Sequence, residues 1–319
     1  MEGINNSLVK MNLIVNLGKN IWKNRMIYTL LIPGFIWYIV FAYMPMAGLS
    51  LAFKQFMANL GIWGSPWVGL NNFELVFRDV AFFRALAKTL YINIGRLIFV
   101  FPASIIIALL INEFKLKRYS RVLQTVYTFP HFFSWVIVAS IFINVLSVNG
   151  LVNQIIKLIS GGNTINFLGD SKTIVPMLYI TQIWKVAGYG SIIYLAAISG
   201  IDQEQYEAAH LDGASRWQQV KLITIPNIMS TIIVMFVLEC GRVLTVGFDQ
   251  IFNMQNPATK DAIETINVYI YRVTFQSTPD FGYSTAVSLF NSLINMLLLL
   301  LANKVSVSLG GSGLFGSKE

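Results

Sequence analysis

The residues best placed to do work in this chain form a polar island, 200–226, set between apolar stretches: Glu207-Ala208-Ala209-His210-Leu211-Asp212-Gly213-Ala214, closing at Ile225-Pro226. Their chemistry is contact rather than catalysis. Ala208 and Ala209 permit close approach of another protein surface, and Glu207, His210 and Asp212 surround them with polar groups. Asp202 can cap a first short helix with Gln205 as the reciprocal partner of a capping box, while Glu204 and Glu207 complement its dipole. Gly213 can end that helix by accepting a left-handed conformation that other residues resist. Ser215 and Gln218 form a second capping box, opening a helix to about residue 223, and Pro226 marks the expected break before the next apolar stretch. A helix capped at both ends and seated in a partner's cleft can transmit a push as a rigid body.

A second set of polar residues lies inside the apolar stretches: Asn93 with Arg96, Gln182 with Lys185 and Tyr189, and Glu239 with Arg242. A charge at the centre of a bilayer costs about 2.5–3.5 kcal/mol on insertion scales, so such residues face a cavity or a partner. The first two groups recur at helical spacing and can line a solute path. Glu239 and Arg242, three apart, can pair on one helix face. Trp184 and Tyr194 can offer stacking surfaces or simple packing.

The elements that must position these groups follow from composition. The chain is 55% hydrophobic and 12% charged, with a mean hydropathy of +0.62, far from the roughly 25% charged residues of soluble domains. A span needs about 20 apolar residues. Six stretches approach that test: 26–53, 89–112, 122–147, 173–199, 228–247 and 281–303. The expected architecture is all-α and polytopic, with six transmembrane helices and a cytoplasmic loop. A segment 1–25 precedes a membrane domain 26–303 that contains the loop 200–226, and a tail 304–319 follows. The loop 113–121 packs Lys115, Lys117, Arg118 and Arg121 between two spans, which places it, both termini and the polar island in the cytoplasm. The first span is too long for a cleavable signal and reads as an anchor. Outside, Trp63 and Trp67 suit the headgroup zone or a docking surface, and the long loop 255–280 can reach a vestibule or an external partner.

Several function classes are poorly served. The net charge of +8 is dispersed over loops on both sides, so it reads as topology rather than nucleic-acid binding. Two His and the lone Cys240 make no metal site and no internal disulfide, and no phosphate-binding loop, HExxH or GxSxG pattern occurs. Energy for any transport must come from an ion gradient or a separate subunit. A secondary transporter would need midplane ion sites and internal repeats, and a channel would need a charged ring; the sequence offers neither clearly.

The pattern Glu207-Ala208-Ala209, Gly213, then Ile223-Thr224-Ile225-Pro226 resembles the cytoplasmic signature loop of the permeases of binding-protein-dependent ABC importers. Ile225 stands where Leu is usual. Leu31-Ile32-Pro33-Gly34, Phe41-Ala42-Tyr43-Met44-Pro45-Met46, Ser65-Pro66-Trp67-Val68-Gly69-Leu70 and Asp212-Gly213-Ala214-Ser215 are similar to permeases of the complex-sugar and oligosaccharide branch. The resemblance implies a second, homologous permease, two cytoplasmic ATPase subunits that carry ATP and Mg, and an extracytoplasmic solute-binding protein. It also implies that Glu207, Ala208, Ala209, Asp212, Gly213, Ala214 and Pro226 form the coupling contact, with no catalytic residue and no cofactor on this chain. Arg96, Lys185 and Arg242 then stand against a single span anion, Glu239. That surplus would favour acidic sugars such as uronate oligosaccharides, unless Arg96 and Lys185 snorkel to an interface or pair with the second permease.

Overall fold

The computed structural model describes residues 22–114, 117–276 and 278–308. Most of the expected 1–25 segment, Lys115 of the basic loop and residues 309–319 of the tail lie outside them. The described residues are helical, and an isolated bridge between Lys54 and Trp67 is the β pairing among them. The chain divides into two units, Met1–Asn72 and Phe73–Glu319.

In the first unit, helix α1 (Arg25–Tyr38) passes through a π turn, Ile39–Tyr43, into a 3-10 stretch, Met44–Phe53. Pro45 opens the 3-10 stretch; its missing N–H and its ring prevent a regular helix here. The segment that follows is pinned by its own polar groups. Lys54 Nζ donates to the carbonyl of Ile62 at 2.8 Å, and Asn72 Nδ2 donates to those of Ala52 and Lys54, each at 3.0 Å. Trp67 stacks on Phe53, and both Trp63 and Trp67 are exposed.

The second unit is built on two long helices, α2 (Val80–Glu113) and α6 (Ser171–Ser199), which pack along each other. Helix α2 starts nine residues before the expected 89, because Asp79 caps it by accepting from the Ala81 N–H at 2.7 Å. Tyr269 and Tyr283 also donate their hydroxyls to Asp79 Oδ2, which ties α2 to α11 (Ile266–Tyr271) and α12 (Phe281–Ser308). Burial would raise the Asp79 carboxyl, but the two phenols and the N–H groups of Ala81 and Phe82 outweigh it and hold it below its ordinary value.

Three expected spans are redrawn. The stretch 122–147 is broken: α3 (Lys117–Thr128) ends in a 3-10 turn, Phe129–Phe132, and α4 (Trp135–Leu146) starts afresh behind the Ser134 cap. Pro130 removes a helical donor there, and Ser134 Oγ accepts from the Ile137 N–H. Helix α5 (Leu151–Ser160) continues beyond α4 after a short turn. The stretch 228–247 also ends early, since α9 (Met229–Cys240) stops at Gly241 and α10 (Phe248–Met254) begins after an unwound segment. By length and composition, four described stretches can cross a membrane: Arg25–Phe53, Val80–Glu113, Trp135–Ser160 and Phe281–Ser308. A fifth is the pair Arg216–Asn227 and Met229–Cys240, bent by 63°. Helix α6 has the length of a span, but Thr181, Gln182, Lys185 and its glycines dilute its apolar character, so among the described residues four stretches, or five with the bent pair, meet that measure of the six expected.

The core between these helices is stratified. One cluster joins Ile92 of α2 to Ile174 and Leu178 of α6 and to Ile251 and Met254 of α10. Another joins Ala108 of α2 to Tyr194 and Ile198 of α6 and to Ile201 and Ile228 near the polar loop. Between spans in lipid, close packing and polar ties hold such contacts rather than hydrophobic transfer. The polar cavity lies along these same helices.

Candidate functional site: a polar cavity and a capped loop

A cavity of about 720 Å³ opens between α2, α6 and α9. Its wall contains Asn93 and Arg96 from α2, Gln182 and Tyr189 from α6, and Glu239 and Arg242 from the end of α9 and just beyond. Lys185 is not in that wall. Its buried ammonium donates to the carbonyls of His131 at 2.8 Å and Phe133 at 2.5 Å and lies over the Trp135 ring. These are carbonyls freed where Pro130 breaks the helix, so Lys185 serves as their cap. Tyr194 lines the cavity, whereas Trp184 packs edge-on against Phe142. His131 also faces the cavity and stacks flat on Tyr189, centroids 3.9 Å apart. Nothing in its spacing marked it, because a break in the chain delivers it rather than a helical period.

The cavity's polar wall is organised by the unwound segment 241–247. Side chains from other helices take its backbone groups: Asn93 Nδ2 donates to Val243 O at 2.6 Å, Asn295 Nδ2 to Gly241 O at 2.6 Å, and Asn267 Nδ2 to Leu244 O at 3.1 Å. Asn295 Oδ1 accepts from the Leu244 N–H. The segment is a run of turns whose Arg242, Thr245 and Val246 N–H groups bond within the chain nearby, and the side chains take groups that these turns leave over. Gly247, with φ +103, closes the segment, and a Cβ there would run into the guanidinium of Arg96. Arg96 is buried, donating from Nη1 to Asn93 Oδ1 at 3.1 Å and from Nη2 to Gln250 Oε1. Gln250, fully buried, donates in turn to Leu178 O and Thr181 Oγ1, both at 2.7 Å. Glu239 and Arg242 approach to 3.9 Å, but not from one helix face, since Arg242 lies past the helix end at Gly241.

The loop is a compact elbow. Helix α7 (Gln203–Leu211) is capped by Asp202, whose carboxylate accepts from the Glu204 N–H at 3.0 Å, and none of its residues is buried. Gln205 does not close a capping box with Asp202; it reaches across to accept from Asn227 Nδ2 at 3.1 Å. At the other end, Ala214 N–H returns to Ala209 O at 2.9 Å and Gly213 N–H to His210 O at 3.1 Å. Gly213 has φ +76, and this pairing is a Schellman closure that satisfies the last carbonyls. Glu207, Ala208, Asp212 and Gly213 are exposed, with Ala209 and Ala214 half-buried.

Helix α8 (Arg216–Gln219) opens with the Ser215–Gln218 capping box. The helix then runs through Pro226 instead of breaking before it. A π turn, Val220–Thr224, makes room for the proline ring, and the bend comes at Ile228. Tyr206 OH meets Thr224 Oγ1 at 2.9 Å, and Arg216 Nη1 meets Glu113 Oε2 at 3.2 Å, so the elbow is fastened to the next helix and to the end of α2.

Comparison with known proteins agrees with this geometry. The pattern of the family described as the binding-protein-dependent transport system inner membrane component matches residues 100–307. Protein LplB of Bacillus subtilis is 40% identical over 294 residues, 92% of each chain. The polygalacturonan/rhamnogalacturonan transport system permease protein YteP of the same organism is 37% identical, covering 92% of this chain and 91% of its own. A crystal structure of a bacterial ABC transporter involved in import of the acidic polysaccharide alginate superposes with a TM-score of 0.84 at 38% identity. It covers 91% of this chain and 98% of its own. This chain belongs to the inner membrane components of binding-protein-dependent transport systems.

Proposed function

We propose that this chain is one permease subunit of an ATP-driven importer that carries uronate-containing oligosaccharides. The observation that carries the reading is mechanical continuity between loop and cavity. The pair Arg216–Asn227 and Met229–Cys240 begins in the capped elbow and ends with Glu239 in the cavity wall. In this reading a push on α7, passed on through the Tyr206–Thr224 hydrogen bond, moves that wall. Interfaces of this kind convert small shifts into alternate packings.

In this reading Glu207, Ala208, Ala209, Asp212, Gly213 and Ala214 meet one of two ATPase subunits in the cytoplasm, where ATP and Mg are bound. Pro226 sets the course of the helix that leaves the loop. A second permease completes the channel and a solute-binding protein delivers the sugar from outside. Asn93, Arg96, Gln182, Tyr189, Glu239 and Arg242 line the path, and Lys185 braces it. Support for an acidic sugar comes from the two lining guanidiniums against one carboxylate, and from relatives named for polygalacturonan and alginate transport. The test is reconstitution with both permeases, the ATPases and the binding protein. Uptake of an oligogalacturonate should require ATP, and a cysteine placed at Ala208 should crosslink to an ATPase subunit. Uphill uptake by complexes stripped of ATPase, or an elbow that never crosslinks to one, would overturn the reading.

A further inference from the structure

We infer that the guanidinium of Arg96 is the group that reads the substrate's carboxylate, exchanging Gln250 for it on binding. The inference rests on the acidic-oligosaccharide reading above. Arg96 lies in the cavity wall and is only 7% exposed, so it has lost most of its hydration. What replaces that hydration carries no charge. Its acceptors are the neutral amide oxygens of Asn93 and Gln250, and its Nε has no hydrogen-bond partner among the described residues.

The cavity's other guanidinium differs. Arg242 lies 3.9 Å from Glu239 and is mostly exposed, so its charge is already partly matched and hydrated. Arg96 is thus the lining cation whose hydrogen bonds go to neutral amides, with Glu239 acting on it only at a distance. A buried charge so held is undercompensated, and a carboxylate offers two full acceptors to the planar fork. Releasing Gln250 leaves its buried Oε1 without a donor, a cost that the charge-assisted pair with a carboxylate must exceed; an internal carboxylate would be harder still to displace.

The surroundings keep the fork available. Gly247 leaves the space that the guanidinium occupies, because any Cβ there would displace it. Gln250 stays anchored through its Nε2 to Leu178 and Thr181 after its Oε1 is released, so exchange leaves its amide N–H groups satisfied. Asn93 remains tied to Val243 through its own amide N–H. A substrate carboxylate can therefore take the Nη2 donor without dismantling the wall.

The experiment compares uptake of an oligogalacturonate with that of its methyl ester, which has the same backbone and no charge, in the reconstituted full complex. Wild type should favour the acid. Arg96→Gln should bring the acid-to-ester ratio down by about tenfold or more, whatever its total uptake, and Arg96→Lys should fall between, keeping charge but losing the fork. A folding defect lowers both substrates together and leaves the ratio alone. If Arg96→Gln does not assemble, Arg96→Lys decides: a reduced ratio supports the inference and a wild-type ratio overturns it. A wild-type ratio in Arg96→Gln, or an equal loss of both substrates, likewise overturns it. Should wild type itself show no preference for the acid, the charge-selective reading of the function fails instead.

Discussion

The elbow at 202–228 and the cavity wall around 239–250 are both interruptions of helix, yet they are held in opposite ways. In the elbow, the caps join near neighbours: Asp202 to Glu204, Ala209 to Ala214, Ser215 to Gln218. In the wall, Asn93 reaches a carbonyl 150 positions away and Arg96 an amide 154 away. The elbow can therefore form as soon as its own residues are made, and it can move as a body. The wall exists only once α2, α6, α10 and α12 have assembled. Damage to the elbow should uncouple the machine and leave it folded, whereas damage to the wall should cost the fold.

The sharpest way to break that contrast is Gly247→Val. A β-branched residue at φ +103 carries strain of about 1–3 kcal/mol, and its side chain must also push the Arg96 guanidinium from its seat. The expected result is a large fall in the melting temperature of the purified complex and loss of uptake together. A stable, inactive Gly247→Val complex would show that the wall is not held by these distant ties.

Gly213→Pro is the counterpart in the elbow. Proline cannot reach φ +76 and cannot supply the N–H that Gly213 gives to His210. Uptake should fall by about tenfold or more, while membrane insertion and melting temperature stay near wild type. Glu207→Lys should act the same way without touching the backbone. Normal uptake in either would remove the elbow from the coupling role.

These two positions also show what the sequence made readable. Gly213 and Ser215 could be placed because caps are written in spacings of a few residues, and the apolar runs located the helices for the same local reason. The ends of those runs were another matter. The break at Phe129–Phe132 was marked by Pro130 but masked by the lack of charge across 122–147, and Lys185, expected on a solute path, donates to the carbonyls of His131 and Phe133 at that break. Gln250, Asn267 and Asn295 were not singled out by the sequence reading. Their meaning lies in backbone groups that only tertiary assembly brings near them. Gln205 failed differently, since a distant Asn227 outcompeted the local capping role.

A smaller effect is expected at a third tie, between Asp79 and the hydroxyls of Tyr269 and Tyr283. The folded carboxyl is held below its unfolded value of 3.8, so its contribution is present above that value and fades as pH falls through the lower folded one. Asp79→Asn should lower the melting temperature at neutral pH and flatten its acid decline below about pH 4, where wild type loses the charge. An unchanged acid limb would separate this knot from the stability of the assembled helices.

The smallest expected effect tests whether the elbow depends on its one distant ion pair. Arg216 and Glu113 meet at 3.2 Å with side chains 64% and 34% exposed, where water screens them and such pairs contribute about 0–1 kcal/mol. Arg216→Ala should therefore leave melting within about a degree or two of wild type. If uptake nevertheless falls while the ATPase keeps turning over, the pair works by holding the elbow in register with α2 and not by stabilising it. The contrast between the two regions would then narrow, because even the locally written elbow would need one contact from far along the chain to pass its motion on.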